Sequence, residues 1–461
     1  MAAGGPAPDL GAARGPEAAR ARLADLLRDT RRAGAAVEAA FRAVPRHLFL
    51  AEMAPEQAYQ DEAFVIKHNA DGLPISSSSQ PAIMAIMLEQ LGLAGGQRVL
   101  EIGAGTGYNA ALIAHIVGDQ ESVVTVDIDS ELVERARASL AAAGYGGVRV
   151  VCGDGGLGAP GHAPYDRIIV TVGAWDLAPA WLAQLAPGGR IVLPLSVRGI
   201  QLSVALERAA DHWASRSACR CGFIRMAGAF AGPESFVPVG PQPGLYVQAD
   251  DGRPVDAGAL HEALSGHVTD VPTGLRAASM EELGDLDLWL TITEPRMTRL
   301  TVVGMQARRA RGAPLMPLGG LAGPGGAGGV LGVAALMSDR AQPRRGTTGA
   351  PRSADPSDPS DPSDPNGARG ISGRAVPRER AGTLRIVVRG FGPGGAGLAG
   401  YLARRAAVWD SLGRPGSANL RLRAYPPRAQ QGAGAEVEGA TSGTVILDRR
   451  HGRLVLDWPA P

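Results

Sequence analysis

The chain has 461 residues, a formal net charge of +1 and 45% hydrophobic residues. That is long enough for two or three domains with a sizeable core, and it excludes a global electrostatic grip on nucleic acid or on an anionic membrane. Lys67 is the single lysine, and 64 glycines and 35 prolines accompany the arginines, a balance that reads as GC-rich codon usage more than arginine chemistry.

The three cysteines, Cys152, Cys219 and Cys221, are too few for a disulfide framework. Cys219 and Cys221 form a lone C-x-C without a second ligand pair, so no metal site is expected. No signal peptide and no run of roughly 18 charge-free apolar residues is visible, which predicts a cytoplasmic protein with no membrane partner.

Residues 1–15 are rich in Gly, Pro and Ala and read as disordered. Residues 16–230 read as one catalytic unit. It opens with helices over Pro16–Arg32 (Leu23, Leu26 and Leu27 at helical spacing) and Ala35–Val44, which stops at Pro45. Arg46 to Ser78 reads as loop with short elements. Pro81 then starts a helix whose apolar face is Ile83, Met84, Met87, Leu88 and Leu91.

Apolar runs over Arg98–Ile102, Ser122–Asp127, Val148–Cys152, Asp166–Val172 and Gly189–Leu195 alternate with helical stretches near 107–117, 130–143 and 177–186. Strands separated by helices predict an α/β fold with a doubly wound, mostly parallel, Rossmann-like sheet.

Residues 231–335 read as an accessory region. Just upstream and within it, Gln201–Glu207, Ser217–Met226 and Leu286–Thr293 look like strands, and Val255–Gly266 like a helix. Residues 336–381 contain the tract Asp355-Pro-Ser-Asp-Pro-Ser-Asp-Pro-Ser-Asp-Pro365, which cannot bury a core and reads as an extended linker. Residues 382–461 read as a small α+β domain: a strand at Thr383–Arg389, a helix at Gly397–Asp410, a strand at Leu420–Tyr425, and a hairpin of Gly443–Asp448 and Arg453–Trp458 joined by Arg449-Arg450-His451-Gly452.

The segment Glu101-Ile-Gly103-Ala-Gly105-Thr-Gly107 follows a buried strand and opens a helix. Glycines there let the chain turn tightly and let a ligand approach the backbone, with helix N–H groups facing its carboxylate. A dinucleotide site prefers G-x-G-x-x-G. G-x-G-x-G with an acid two residues ahead points instead to S-adenosylmethionine. Asp127, ending the second strand, can accept both ribose hydroxyls. Asp154 and Gly155, after the third strand, fall beside the expected adenine. Taken singly, Asp127 and Asp154 also read as turn or helix-cap residues.

Several segments resemble protein-L-isoaspartate O-methyltransferases: Phe41-Arg-Ala-Val-Pro-Arg-His-Leu-Phe49, Ala58-Tyr-Gln-Asp61, Ile75–Met84 with Ser79-Gln-Pro81, Leu100–Tyr108, Gly153-Asp-Gly155, Pro164-Tyr-Asp166 and Gln184–Pro194. The resemblance covers about residues 35–230 and implies methylation of a carboxylate on an aspartyl or isoaspartyl residue in a peptide or protein. It places the active-site serine at Ser79; because Ser76-Ser-Ser-Ser79 is longer than the family's single serine, the register also admits Ser78. A carboxylate is already ionised near neutral pH, so alignment and water exclusion matter more than a strong base.

The additional ~230 residues, the serine run and the distal hairpin resemble the branch associated with ribosomally made, lanthipeptide-type peptides, which implies tailoring through a methyl ester and succinimide. Arg421, Arg423, Arg449 and Arg450 could meet acidic groups of such a peptide, or be solvated strand and turn residues. General isoaspartate repair is the alternative, and a non-catalytic peptide-binding module the third reading.

Overall fold

The computed structural model describes residues 15–70, 72–241, 244–249, 254–294, 297–302, 319–324, 330–340, 384–427 and 444–459. Residues 1–14 of the expected disordered N-terminus and nearly all of the Asp-Pro-Ser linker lie outside them; residues 336–340 of the expected linker instead end a strand.

Two helices come first, α1 (Pro16–Asp29) and α2 (Ala35–Ala43). A short antiparallel hairpin follows, β1 (Phe64–His68) with β2 (Pro74–Ser78), and β2 runs directly into α3 (Pro81–Leu91). Proline at the first helical position suits a missing N–H, and Gly92 in the left-handed region ends the helix. The doubly wound unit is β3 (Val99–Ile102), α4 (Tyr108–Val117), β4 (Val123–Asp127), α5 (Ser130–Ala142), β5 (Arg149–Cys152), β6 (Tyr165–Val170), α6 (Pro179–Gln184) and β7 (Leu185–Val197). Two antiparallel strands extend it, β8 (Ile200–Arg208) and β9 (Trp213–Cys221).

The accessory part contains β10 (Ser235–Pro238), β11 (Leu245–Ala249), α7 (Ala257–Ser265), β12 (Val268–Ala277), α8 (Met280–Thr293), β13 (Met297–Val302), β14 (Gly319–Pro324) and β15 (Val330–Arg340). The last segment supplies β16 (Leu384–Phe391), α9 (Gly395–Ser411), β17 (Arg421–Tyr425), β18 (Val445–Arg449) and β19 (Gly452–Asp457).

Ten strands form one sheet in the order β18-β19-β17-β9-β8-β7-β6-β3-β4-β5. From β5 to β7 the neighbours are parallel, as apolar strands joined through helices require. Chain order reverses at β3, which lies between β4 and β6, and a crevice opens outside the carboxyl ends of the strands at that point. The helical layer of α1 to α5 buries Leu23, Leu27, Phe41, Met87 and Leu112 on one face. The other face buries Trp181, Leu193, Leu202, Leu422, Leu454 and Leu456.

Residues 382–461 do not make a separate small domain. β16 and α9 complete a seven-stranded accessory sheet, in which β16 pairs with β12 and β15. The remaining strands instead join the catalytic sheet, where β17 pairs with β9 through Arg423–Ala214 and Ala424–Trp213. Leu422, Leu454 and Leu456 have apolar faces to bury, and the catalytic core buries them.

The expected strand at Leu286–Thr293 is the second half of α8. Leu283, Leu286, Leu288, Trp289, Leu290 and Ile292 are all buried, because α8 packs between the catalytic and accessory cores. A helix buried all round loses its 3.6-residue apolar stripe, so its residues read as a plain apolar run. The start signal was present: Ser279 Oγ accepts the Glu282 N–H at 3.2 Å, and the Glu282 carboxylate accepts the Ala278 N–H at 2.5 Å.

Candidate active site

The crevice at the reversal of strand order is open to solvent, and the space within it, solvent included, is about 1020 Å³. Its walls are the serine strand (Ser76 to Ser79), the glycine loop (Gly103 to Thr106), the end of β4 (Asp127), Gly155, the end of β6 (Thr171, Val172) and the segment Phe223 to Ala227.

The glycine loop has the conformation its residues predict. Gly103, Gly105 and Gly107 have φ of 102°, 50° and 85°, all left-handed. A Cβ on Gly103 would stand 2.8 Å from Thr171 Oγ1, whereas one on Gly107 would press on Leu140 of α5 at 3.1 Å. A Cβ on Gly105 would project into the crevice itself, 3.9 Å from the Ser77 carbonyl and 4.0 Å from Ser76 Oγ. The third glycine therefore serves helix packing, and the second keeps the cleft open.

Two acids hold the loop's shape. Asp127 Oδ2 accepts the Gly105 N–H at 2.9 Å and its Oδ1 accepts the Asp129 N–H at 3.1 Å, which leaves further lone pairs turned to the cleft. Glu101 is fully buried; its Oε2 accepts from Thr125 Oγ1 at 2.6 Å and its Oε1 from Asn109 Nδ2 at 2.8 Å. Burial pushes its carboxyl up from 4.5 to about 7, against the two hydrogen bonds, with the Asp127 charge adding to the rise.

Asp154 holds the turn that follows β5. Its Oδ1 accepts the Gly156 N–H at 2.8 Å and its Oδ2 the Ala229 N–H at 2.7 Å, so it caps a short turn and ties down the 228–229 loop. It is absent from the cleft wall, whereas its neighbour Gly155 lines it. The turn-residue reading of Asp154 is the one its contacts match.

On the acceptor side β2 alternates, burying Ser76 and Ser78 while Ser77 and Ser79 stay half-exposed. Ser78 Oγ takes a hydrogen bond from Arg46 Nη2 at 3.3 Å, and the Ser79 carbonyl takes one at 2.9 Å. Arg46 is fully buried and also donates to the carbonyls of Ala58, Gln60 and Glu62. Asp61 completes the corner: its carboxylate accepts the Ala82 N–H at 2.8 Å and Gln80 Nε2 at 3.1 Å. Arg46 and Asp61 lie within the family-like segments, but their residue types alone assign them no task. Their signal was a charged residue inside an otherwise apolar or turn-forming segment.

The arginines expected to meet a peptide are partly engaged within the fold. Arg423 pairs with Asp457 at 2.8 Å, and Arg449 donates to the Ser196 carbonyl at 2.8 Å and stacks over Trp175 at 4.2 Å.

A strand, a left-handed glycine loop opening α4 and an acid ending β4, gathered at the reversal of a parallel sheet, define a class I, S-adenosylmethionine-dependent methyltransferase fold. The residues present suit that cofactor: Gly105 leaves open the space a side chain would fill, and Asn109 Oδ1 lies buried at the cleft without a hydrogen-bond partner among the described residues. The model of the family described as protein-L-isoaspartate(D-aspartate) O-methyltransferase matches residues 19–229. Protein-L-isoaspartate O-methyltransferase 2 of Archaeoglobus fulgidus is 43% identical over 189 residues, which cover 41% of this chain and 83% of that protein. The Thermotoga maritima protein-L-isoaspartate O-methyltransferase is 42% identical over 159 residues, 34% of this chain and half (50%) of the relative. A solved protein-L-isoaspartate O-methyltransferase structure aligns at 22% identity with a TM-score of 0.44, over 88% of this chain and 96% of its own. The chain belongs to the protein-L-isoaspartate O-methyltransferase family and is a methyltransferase. Among the described residues, no helix is long and apolar enough to cross a membrane.

Proposed function

We propose that this enzyme methylates the free carboxylate of isoaspartyl residues in peptides and proteins, as a general repair activity. One observation carries the reading: the serine strand and the glycine loop face each other across a single cleft, so closely that a methyl at Gly105 would touch Ser77. The family relatives, named for isoaspartate methylation, support the same acceptor.

In this reading Glu101, Asn109, Asp127 and the Gly103–Gly107 loop hold S-adenosylmethionine, which supplies a methyl group activated by sulfonium. The acceptor carboxylate is ionised at neutral pH and needs no general base. Ser79 Oγ has no hydrogen-bond partner among the described residues, lines the cleft and sits just before α3, which supports a role in donating to that carboxylate and orienting one oxygen. Ser78 Oγ already takes a hydrogen bond from Arg46, which supports Ser79 as the acting hydroxyl. Arg46 and Asp61 are positioning residues that fix the corner carrying it.

Peptide tailoring is the second reading, and the observation favouring it is the fusion of β17–β19 to the catalytic sheet beyond residue 229. The relatives support repair more directly than the lanthipeptide-type role. Labelled S-adenosylmethionine with matched isoaspartyl and aspartyl peptides separates the readings. Repair predicts base-labile label on the isoaspartyl peptide alone. Label confined to ordinary aspartyl residues of a ribosomally made precursor overturns it, and no label on any peptide leaves a binding module.

A further inference from the structure

The charged groups around the cleft are uneven. Among the described residues that line it, Glu101 and Asp127 are the acids and Arg225 is the only cation. Arg225 lies in the Phe223–Ala227 segment, a part of the rim separate from both the glycine loop and the serine strand. Two backbone hydrogen bonds fasten that segment to the chain leaving β6: Gly173 N–H to the Ile224 carbonyl at 2.7 Å, and Met226 N–H to the Gly173 carbonyl at 2.9 Å.

The guanidinium is held in place but not consumed. Its Cζ lies 4.1 Å from the centroid of the Phe236 ring, a stacked geometry that restricts the fork without using its N–H donors. Glu234 Oε2 stands 4.0 Å from Nη1, an ion pair at the limit of salt-bridge distance that is too long to occupy an N–H donor in a hydrogen bond. The side chain is 27% exposed, and partial burial draws the arginine below its ordinary pKa, with the Glu234 charge opposing. A pre-oriented, partly desolvated guanidinium with open donors recognises a carboxylate in two-pronged fashion.

The reacting carboxylate is a poor candidate for that partner. It is already served by Ser79, and a two-pronged grip on it would tie up the electrons it must donate to the methyl group. We propose that Arg225 receives a second carboxylate of the acceptor peptide, so that this enzyme selects isoaspartyl sites flanked by an acidic residue. The inference rests on the peptide-carboxylate reading above and adds to it a substrate class and the residue that sets it.

The test uses the full-length enzyme, labelled S-adenosylmethionine and isoaspartyl peptides in which each flanking position carries Glu or Gln. At one flanking position the Glu peptide is expected to show kcat/KM about tenfold higher than its Gln partner, expressed in KM, and the ratio shrinks in about 0.5 M salt. Arg225→Met brings that ratio close to one, and Arg225→Lys, a point charge without the fork, gives an intermediate value. Binding of S-adenosylhomocysteine monitors whether each variant is folded; if Arg225→Met is not, the wild-type ratio and the lysine variant decide. A wild-type ratio near one at every position overturns the inference, as does an Arg225→Met that lowers kcat on both peptides equally while keeping the ratio. Label without a charge preference defeats this inference alone. No label on any peptide defeats the peptide-methylation reading with it.

Discussion

Arg46 Nη2 donates to the Ser79 carbonyl at 2.9 Å from a position with no solvent exposure at all. The guanidinium lies between the rings of Phe64 and Tyr108, at 5.4 and 5.6 Å from their centroids, and the partners of its hydrogen bonds are neutral. Burial draws it below the ordinary arginine pKa. A cation placed this way costs desolvation and offsets that cost by satisfying carbonyls of the 58–62 segment and of the turn from β2 into α3.

Replacing Arg46 with Met strands the carbonyls of Ala58, Gln60, Glu62 and Ser79 together. We expect a loss of about 3 kcal/mol or more in denaturant unfolding, since unmet buried acceptors cost more than a typical hydrogen bond contributes. Arg46→Lys recovers part of the stability. Its peptide KM stays raised, because one ammonium cannot reach every carbonyl at once. A stable, fully active Arg46→Met enzyme would remove its positioning role.

Ser79→Ala and Ser78→Ala separate orientation from structure. Ser79→Ala is expected to lower kcat about tenfold or more with little change in unfolding, the loss of one donor to the reacting group. Ser78→Ala removes an Arg46 partner and is expected to cost about 1 kcal/mol of stability while turnover is kept. Reversed results would move the acting hydroxyl to Ser78.

Glu101 makes stability and cofactor affinity depend on pH. Its folded-state value of about 7 exceeds the ordinary 4.5, so the folded protein retains a proton that the unfolded chain has released. Its contribution is therefore complete below pH 4.5 and is lost as pH rises through about 7. In the enzyme without cofactor, Glu101→Gln flattens this fall. An ammonium group bound beside Glu101 would favour the carboxylate, so cofactor binding near pH 7 should release a proton. Calorimetry in buffers of different ionisation enthalpy measures that release, and its absence in both buffers would place the ammonium elsewhere.

Gly105→Ala tests the open cleft. At a φ of 50° the alanine strains the backbone by about 1 kcal/mol, and its methyl enters the gap toward Ser77. Cofactor affinity should fall at least about tenfold, well beyond what that small stability loss explains. Equal affinity for S-adenosylhomocysteine in both proteins would argue against the loop as the binding edge.

Leu454→Ala tests whether the last strands belong to the catalytic unit. Leu454 is 1% exposed within the core that also holds Leu193 and Leu202. We expect a loss of about 3 kcal/mol, with methyltransferase activity and the main unfolding transition shifting together. An independent low-temperature transition that leaves activity intact would make the last strands a separate unit.

Much of the doubly wound core was legible in the residues themselves. Short-range signals carried it: the short apolar strands β3 to β6, helices opened by Pro81 or capped by Asp129, and glycines at the positive-φ positions of the cofactor loop. The cofactor loop was legible for the same reason, since Glu101 to Gly107 is one continuous stretch whose geometry follows from its own residue types.

What only the folded chain decided involves partners far apart in sequence. The roles of Arg46 and Asp61 come from carbonyls and a helix start 12 to 33 residues away. Asp154 became a loop tether because Ala229 arrives from 75 residues on. Helix α8 hid its period because cores close on it from two sides, and β17–β19 joined a sheet begun more than 200 residues earlier because that sheet's edge strand, β9, was open to pair. Local conformation follows from backbone sterics and apolar period, which each segment carries in itself. Which groups are buried together, and so which charges are shifted or satisfied, depends on the packing of all of them at once.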